Sequence, residues 1–182
     1  NVERLDSGRY FVLGVSADGK SIYGRFYGLD WVPDGDLFLI ASTDSRRIVR
    51  VRSAESTDEQ IAISWIDDVA SSTDLDRVLV AFITLDGEVI GETLEITDQS
   101  IHYQGQEVVP FVDGQYLVAA TVDGPPGTSN EIRGQIISST TGLVGEDFPI
   151  GNVVQDQRYP VVAYLDNDAV LASWMEIPEP SD

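Results

Sequence analysis

Four segments of the chain share one pattern, a short apolar strand that closes on an acidic residue. These segments are Tyr10–Asp18, Glu59–Asp67, Gln115–Asp123 and Asp168–Glu176. Their closing acids recur about every fifty residues, a period in the range of β-propeller blades. Such a repeat constrains the fold more than any single motif does, because each unit has to bury its apolar face against its neighbours.

The aligned repeats also share a second strand and a column of mostly small residues. The small column contains Gly14, Ile63, Ala119 and Ala172, and small side chains allow neighbouring sheets to approach closely. After each of the first three closing acids the chain enters a second shared strand: Ile22–Phe26, Val78–Phe82 and Ile132–Ile136. The gap before this strand varies in length, which indicates loops on one face of the fold.

Turn signals favour β-structure throughout, and helix signals are nearly absent. Asp-Gly pairs, which suit tight hairpin turns, begin at Asp18, Asp34, Asp86, Asp113 and Asp123. The sequence therefore predicts an all-β protein of about fourteen antiparallel strands. We expect a β-propeller-like fold of about three and a half four-stranded blades, and a stacked β-sandwich is the alternative.

The repeat divides the chain into a β domain, residues 1–176, and a short linker, residues 177–182. The predicted units are 1–41, 42–96, 97–151 and 152–176, and the alternating prolines Pro178 and Pro180 favour an extended linker. An incomplete ring leaves open sheet edges, so we expect further blades or a second copy of the chain to cover them. The chain starts at Asn1 without a methionine, and we expect it to be part of a longer polypeptide.

Charge narrows the choice of partners. The chain has 31 acidic and 11 basic side chains, a formal net charge of −20, which repels nucleic acid and anionic lipid. No apolar run is long enough to span a bilayer, and the absence of cysteine excludes disulfides and thiol chemistry. Lys20 is the only lysine, a bias that fits either a high-salt environment or a GC-rich genome.

The third unit carries a resemblance to a known kind of repeat. Its motifs are Gly134-Gln135, Gly145-Glu146-Asp147-Phe148, Pro160-Val161-Val162-Ala163 and a closing strand that ends in Trp174. In this order they resemble the β-propeller-type repeats of large secreted or surface bacterial proteins. The first two units depart from the pattern at Trp31–Pro33 and Arg46–Arg47. The resemblance implies an extracellular or cell-surface, noncatalytic repeat region of a larger protein. Our leading hypothesis is that this region is a scaffold or a binding module for glycans or proteins.

Residues Gly14–Ser21 fit the phosphate-binding pattern G-x-x-x-x-G-K-S. That loop binds nucleotides only when a helix follows it and directs its positive end at the phosphates. Here Ile22–Gly28 is a poor helix and a good strand. The motif also coincides with the hairpin of the first repeat, so nucleotide binding is a remote alternative.

No residue pattern predicts a catalytic site. His102 is the only histidine, it lies in a polar stretch, and no serine lies in a nucleophile elbow. A propeller-type hydrolase that uses loop carboxylates is the enzymatic alternative. Because 31 acids make some carboxylate pairs inevitable, we expect a noncatalytic protein rather than an enzyme.

Two kinds of binding residue remain. Asp30, Asp34 and Asp36 cluster around a predicted turn, where their oxygens could bind calcium; solvated turn acids are the other interpretation. Trp31 lies in the same loop and could stack on a sugar or anchor a protein partner. Trp65 and Trp174 occupy one repeat column inside strands and are predicted to be packing residues.

Overall fold

The computed structural model describes residues 1–44, 46–55, 59–68, 76–96, 105–123, 129–151, 155–165 and 169–178. His102 and residues 179–182 of the predicted linker lie outside these ranges. Within them the chain forms fourteen β-strands and a single 3₁₀ turn at Val112–Gly114. No helix in this part of the chain is long and apolar enough to cross a membrane.

The strands form four separate antiparallel sheets. The first sheet contains β1 (Val2–Arg4), β2 (Tyr10–Val15), β3 (Ser21–Tyr27) and β4 (Pro33–Ser42). The second contains β5 (Arg47–Glu55), β6 (Gln60–Asp68), β7 (Arg77–Thr84) and β8 (Val89–Glu95). The third contains β9 (Gln106–Pro110), β10 (Gln115–Val122), β11 (Glu131–Ser138) and β12 (Gly142–Pro149). The fourth is a hairpin of β13 (Asp156–Leu165) and β14 (Ala169–Ile177).

Each four-stranded sheet is a simple meander, in which every strand pairs with the next in the sequence. Strands β2, β6, β10 and β14 contain most of the four acid-closed segments, and each is the second strand of its sheet. The all-β prediction is thus confirmed, and no strand pairing among the described residues closes these sheets into a barrel.

Apolar layers join each sheet to the next. Phe11 and Leu13 of the first sheet pack with Ile61, Ile63 and Trp65 of the second. The opposite face of the second sheet packs against the third through Ile66, Val80, Phe82, Tyr116 and Val118. The third sheet and the hairpin share a smaller layer, which includes Leu117, Ile132, Val162 and Trp174. Alternation along each strand therefore supplies a core on both faces of the two middle sheets.

Contacts between the first strands also connect neighbouring sheets. β1 contacts β5, β5 contacts β9, and β9 contacts β13. The first strand of each sheet therefore lies on the side where consecutive sheets meet.

Two sheet faces remain uncovered at the ends of the stack. On the outer side of the hairpin, Val161, Leu171 and Met175 are exposed, whereas their neighbour Val162 is buried. On the outer side of the first sheet, Val2 and Leu39 are exposed.

The phosphate-loop match lies on a β-hairpin. β3 begins directly after Lys20 at Ser21, and the turn is closed by the Gly19 N–H, which donates to the Ser16 carbonyl at 2.8 Å. Asp18 accepts from the Lys20 N–H at 3.1 Å. The helix that a nucleotide loop requires is replaced by a strand, because β-favouring residues such as Ile22, Tyr23 and Phe26 pair with β2.

Candidate functional site

The loop between β3 and β4 holds Trp31 out into solvent. The Gly28 N–H donates to the Val32 carbonyl at 2.9 Å, and the Trp31 N–H donates to the Gly28 carbonyl at 3.0 Å. Asp30 Oδ1 accepts from the Val32 N–H at 3.1 Å. A side chain at position 28 would collide with the Asp30 carboxylate, so glycine permits this close turn.

Trp31 adopts a left-handed backbone, with φ of 61°, which is unusual for a bulky side chain and marks local strain. Its side chain is nevertheless 54% exposed. The ring stacks on Tyr10, with centroids 4.4 Å apart and planes at 13°. Tyr27, which pairs with Tyr10 across β2 and β3, lies 6.2 Å from the Trp31 ring.

These three rings, Tyr10, Tyr27 and Trp31, form the aromatic platform. The Arg25 guanidinium lies 5.9 Å from the Tyr27 ring centroid and donates from Nε to the Gly35 carbonyl at 3.2 Å. Stacking on Tyr10 restrains the Trp31 ring and so lowers the entropy that a ligand would have to remove. The platform thus offers an apolar plane to the apolar face of a ligand, beside hydrogen-bonding groups.

The three aspartates of the predicted calcium group do not share one turn. β4 already begins at Pro33, and Asp34 pairs with Phe26 in the ladder, so only Asp30 lies in the turn. The prediction of a turn at Asp34-Gly35 was wrong, because the bonds of Gly28–Val32 complete the turn earlier. Asp34 forms a salt bridge with Arg9 at 2.8 Å.

Metal ligation by these aspartates stays a prediction. Asp30, Asp34 and Asp36 are all exposed, and within the described ranges no group of three or more acidic or histidine side chains is placed to hold a metal ion. Their shared effect on the platform is electrostatic, because three carboxylates nearby disfavour an anionic ligand.

A second group of carboxylates lies where the first strands meet. Glu3 of β1 accepts from the Ser53 hydroxyl at 3.2 Å, and Glu107 of β9 lies 3.2 Å from Arg52 Nε. Burial raises the pKa of Glu3, and the charges of Glu55 and Glu107 raise it further. Burial also raises the pKa of Glu107, against the lowering effect of Arg52.

Sequence reasoning missed Glu3 and Glu107, because it considered acids in loops. Each is a lone acid in a short strand, flanked by Val2 and Arg4 or by Gln106 and Val108. Its partners come from other sheets, more than forty-five residues away. Trp65 is buried and Trp174 packs on the third apolar layer, so their predicted packing role is confirmed.

No protein-family model matches the chain, and no curated protein matches its sequence. Solved structures do share its fold. A mutant of the NanB sialidase from Streptococcus pneumoniae superposes with a TM-score of 0.63, and the NanB complex with 2-[(3-chlorobenzyl)ammonio]ethanesulfonate with 0.65. A structure described as NanB plus Optactamide gives 0.64.

All three comparisons have 10% sequence identity and cover 98% of this chain but 27% of the sialidase chain. The chain therefore spans about a quarter of the length of these proteins. At this identity the likeness shows the fold alone, an arrangement of antiparallel sheets found in sialidase β-propeller chains.

Proposed function

We propose that the chain is a β-propeller-like repeat segment of a larger secreted or surface protein and that it binds neutral glycans through the aromatic platform. The observation that carries the proposal is the exposed Trp31, held at φ of 61° and stacked on Tyr10. A folded protein gains little from displaying a large apolar ring on a strained backbone, so the arrangement points to binding.

The surroundings of the platform favour neutral sugars over sialylated ones. Asp30, Asp34 and Asp36 lie in or beside the same loop, and the whole chain has a net charge of −20. A carboxylate on a ligand would be repelled, whereas sugar hydroxyls can donate to aspartate oxygens.

Three features support the scaffold part of this proposal. The second strands of all four sheets lie in the four acid-closed segments. First strands of successive sheets contact one another, as expected for blades around an axis. The outer face of the hairpin is uncovered and apolar, which is the condition of a sheet that awaits a further blade or a second copy.

Isothermal titration with chitotriose, lactose and sialyllactose tests the proposed function. We expect saturable binding of a neutral saccharide, weaker binding of sialyllactose and no turnover. Trp31→Asn is the informative variant, because asparagine tolerates the left-handed backbone. It should weaken binding at least tenfold, about 1.4 kcal/mol, without unfolding the protein.

Leu29→Gln is the matched control. Leu29 lies in the same loop and is 66% exposed, but it takes no part in the ring stack, so its replacement should leave affinity unchanged. Equal binding by wild type and Trp31→Asn, or no binding of any of these saccharides, would contradict the proposal and leave a protein partner as the occupant of the platform.

A glycoside hydrolase is the second candidate function. It is supported by the shared fold with sialidases and by Glu3 and Glu107, two neighbouring carboxyl groups whose pKa is raised by burial. A raised pKa suits a general acid. Release of 4-methylumbelliferone from glycosides at pH 5, lost in Glu107→Gln, would establish an enzyme in place of a noncatalytic binder.

A further inference from the structure

A cavity of about 220 Å³ lies between the first and second sheets. It lies at the opposite end of the first sheet from Trp31: Ser42 pairs with Ser21 at the start of β3, whereas Pro33 pairs with Tyr27 at its end. β3 has seven residues, so the two ends are about 20 Å apart. Its polar and aromatic lining comes from Ser42, Thr43, Trp65, Asp67, Arg77 and Thr93.

Asp67 differs from the other acids that close the repeated segments. Asp18 and Glu176 are exposed and Asp123 is half-buried, but Asp67 is only 1% exposed. Its Oδ2 accepts from Arg77 Nη2 at 2.9 Å and lies 3.6 Å from Arg46 Nε. Its Oδ1 is buried and has no hydrogen-bond partner among the described residues.

Arg77 carries a hydrogen-bond donor that complements the acceptor of Asp67. Its Nη1 donates to Glu95 at 3.1 Å and its Nη2 donates to Asp67, while its buried Nε has no partner in the described part of the chain. Asp67 and Arg77 both line the cavity, and each carries one buried polar atom without a hydrogen-bond partner in the described part of the chain. Folded proteins seldom leave buried donors and acceptors without a hydrogen-bond partner, and where the protein supplies none the usual partner is a ligand or an ordered water.

The lining identifies the chemistry that would satisfy both groups. A hydroxyl group donates and accepts at once, so it can pair with Asp67 Oδ1 and Arg77 Nε together. Ser42, Thr43 and Thr93 offer further hydroxyl partners, and the Trp65 ring offers an apolar wall. Two arginines, Arg46 and Arg77, balance Asp67 and Glu95, so neither a cation nor an anion is favoured.

We propose that this cavity binds a neutral polyhydroxylated small molecule, a monosaccharide or polyol, through Asp67 Oδ1 and Arg77 Nε. It is a second site, separate from the aromatic platform and independent of what binds there. The two sites together give one module a pocket for a single sugar unit and an open plane for a longer glycan.

Indole N–H signals of the ¹⁵N-labelled protein provide the test, because the chain has three tryptophans and Trp65 lines the cavity. Titration with D-glucose, D-galactose and sorbitol should move the Trp65 signal saturably for at least one of them. Asp67→Asn should weaken that binding at least tenfold.

Ser42→Leu keeps the test decisive should Asp67→Asn fail to fold. Ser42 lines the cavity and is exposed rather than part of the core, so a larger side chain there should obstruct the cavity and abolish the shift. Trp31→Asn should leave the shift unchanged, which separates this site from the aromatic platform. A linear shift that is equal in wild type, Asp67→Asn and Ser42→Leu would overturn the proposal and assign the unpartnered atoms to water.

Discussion

Gly24 shows how a single residue determines how closely strands and rings pack. It lies in β3 opposite Phe38 of β4, and a Cβ there would meet Phe11 Cε2 at 2.7 Å and Phe38 Cζ at 2.9 Å. Gly134 of the third sheet pairs with Phe148 in the same way, and a Cβ there would lie 3.0 Å from that ring. In both sheets an aromatic ring covers a strand glycine, an arrangement that compensates for the missing side chain.

Gly24→Ala is expected to destabilise the protein, because three contacts below 3.0 Å with the rings of Phe11 and Phe38 force those rings to move. Overpacking of this kind costs about 1–3 kcal/mol, which lowers the melting temperature by about 2–4 °C per kcal/mol in a protein of this size. Gly14→Ala in the neighbouring strand is the matched control, since nothing lies within 4 Å of its added Cβ. Thermal unfolding followed by circular dichroism would contradict the packing argument if both variants melted together.

At the scale of elements, the local sequence pattern predicts where the strands lie, but it does not predict the candidate site. Alternation of residues such as Phe11 and Leu13, with turn glycines such as Gly19 and Gly87 at positive φ, predicts strands because side chains in a strand face alternate sides. The same reasoning failed at Asp34-Gly35, where β4 continues past the pair and the register with β3 shifts between Asp34 and Phe38.

Long-range contacts explain what local pattern missed. Tyr10 and Trp31 stack across twenty-one positions of sequence, and nothing in either neighbourhood indicates that contact. Asp67 occupies the same repeat column as Asp18 but differs in burial, because Arg46, just before β5, and Arg77 of β7 converge on it. Burial of a polar group depends on partners that the local sequence does not contain.

The terminal hairpin allows a direct comparison of its two faces. Val161 and Val162 are neighbours in β13, but their exposed fractions are 57% and 6%. Val162→Thr places a hydroxyl in the layer shared with the third sheet and should destabilise the protein by about 1–3 kcal/mol. Val161→Thr should leave the free energy of unfolding nearly unchanged and lower the binding of an apolar dye. Urea unfolding of both variants decides the matter, and equal losses of stability would show that the outer face is already covered.

At the scale of the whole molecule, stability depends on how negative charge is arranged. The net charge of −20 opposes a compact state, and Glu3, Glu55 and Glu107 add to this on β1, β5 and β9. Burial is the largest cause of the raised pKa of all three glutamates. In a complete ring such strands would surround an axis, so any carboxylates there would share one low-dielectric environment.

This arrangement predicts that acidification stabilises the protein. Between the ordinary glutamate value of 4.5 and the raised folded-state pKa, the folded chain binds more protons than the unfolded chain. The free energy of unfolding therefore falls as the pH rises through that interval. We expect a higher melting temperature at pH 5 than at pH 7.5, and Glu3→Gln, which imitates the protonated form, should raise the value at pH 7.5 and reduce the difference.

High salt distinguishes the effect of carboxylate burial on stability from the effect of general charge repulsion. Glu92→Gln removes the same charge from an exposed position of β8, so any gain it gives at pH 7.5 should disappear in 1 M KCl, where the screening length is about 3 Å. The gain from Glu3→Gln should persist in that salt, because desolvation of a buried carboxylate is not relieved by screening. Scanning calorimetry of the two variants at low and high salt measures both effects. If the stability gained by Glu3→Gln disappeared in high salt, the carboxylates of the first strands would behave like exposed surface charges, and the argument from burial would be wrong.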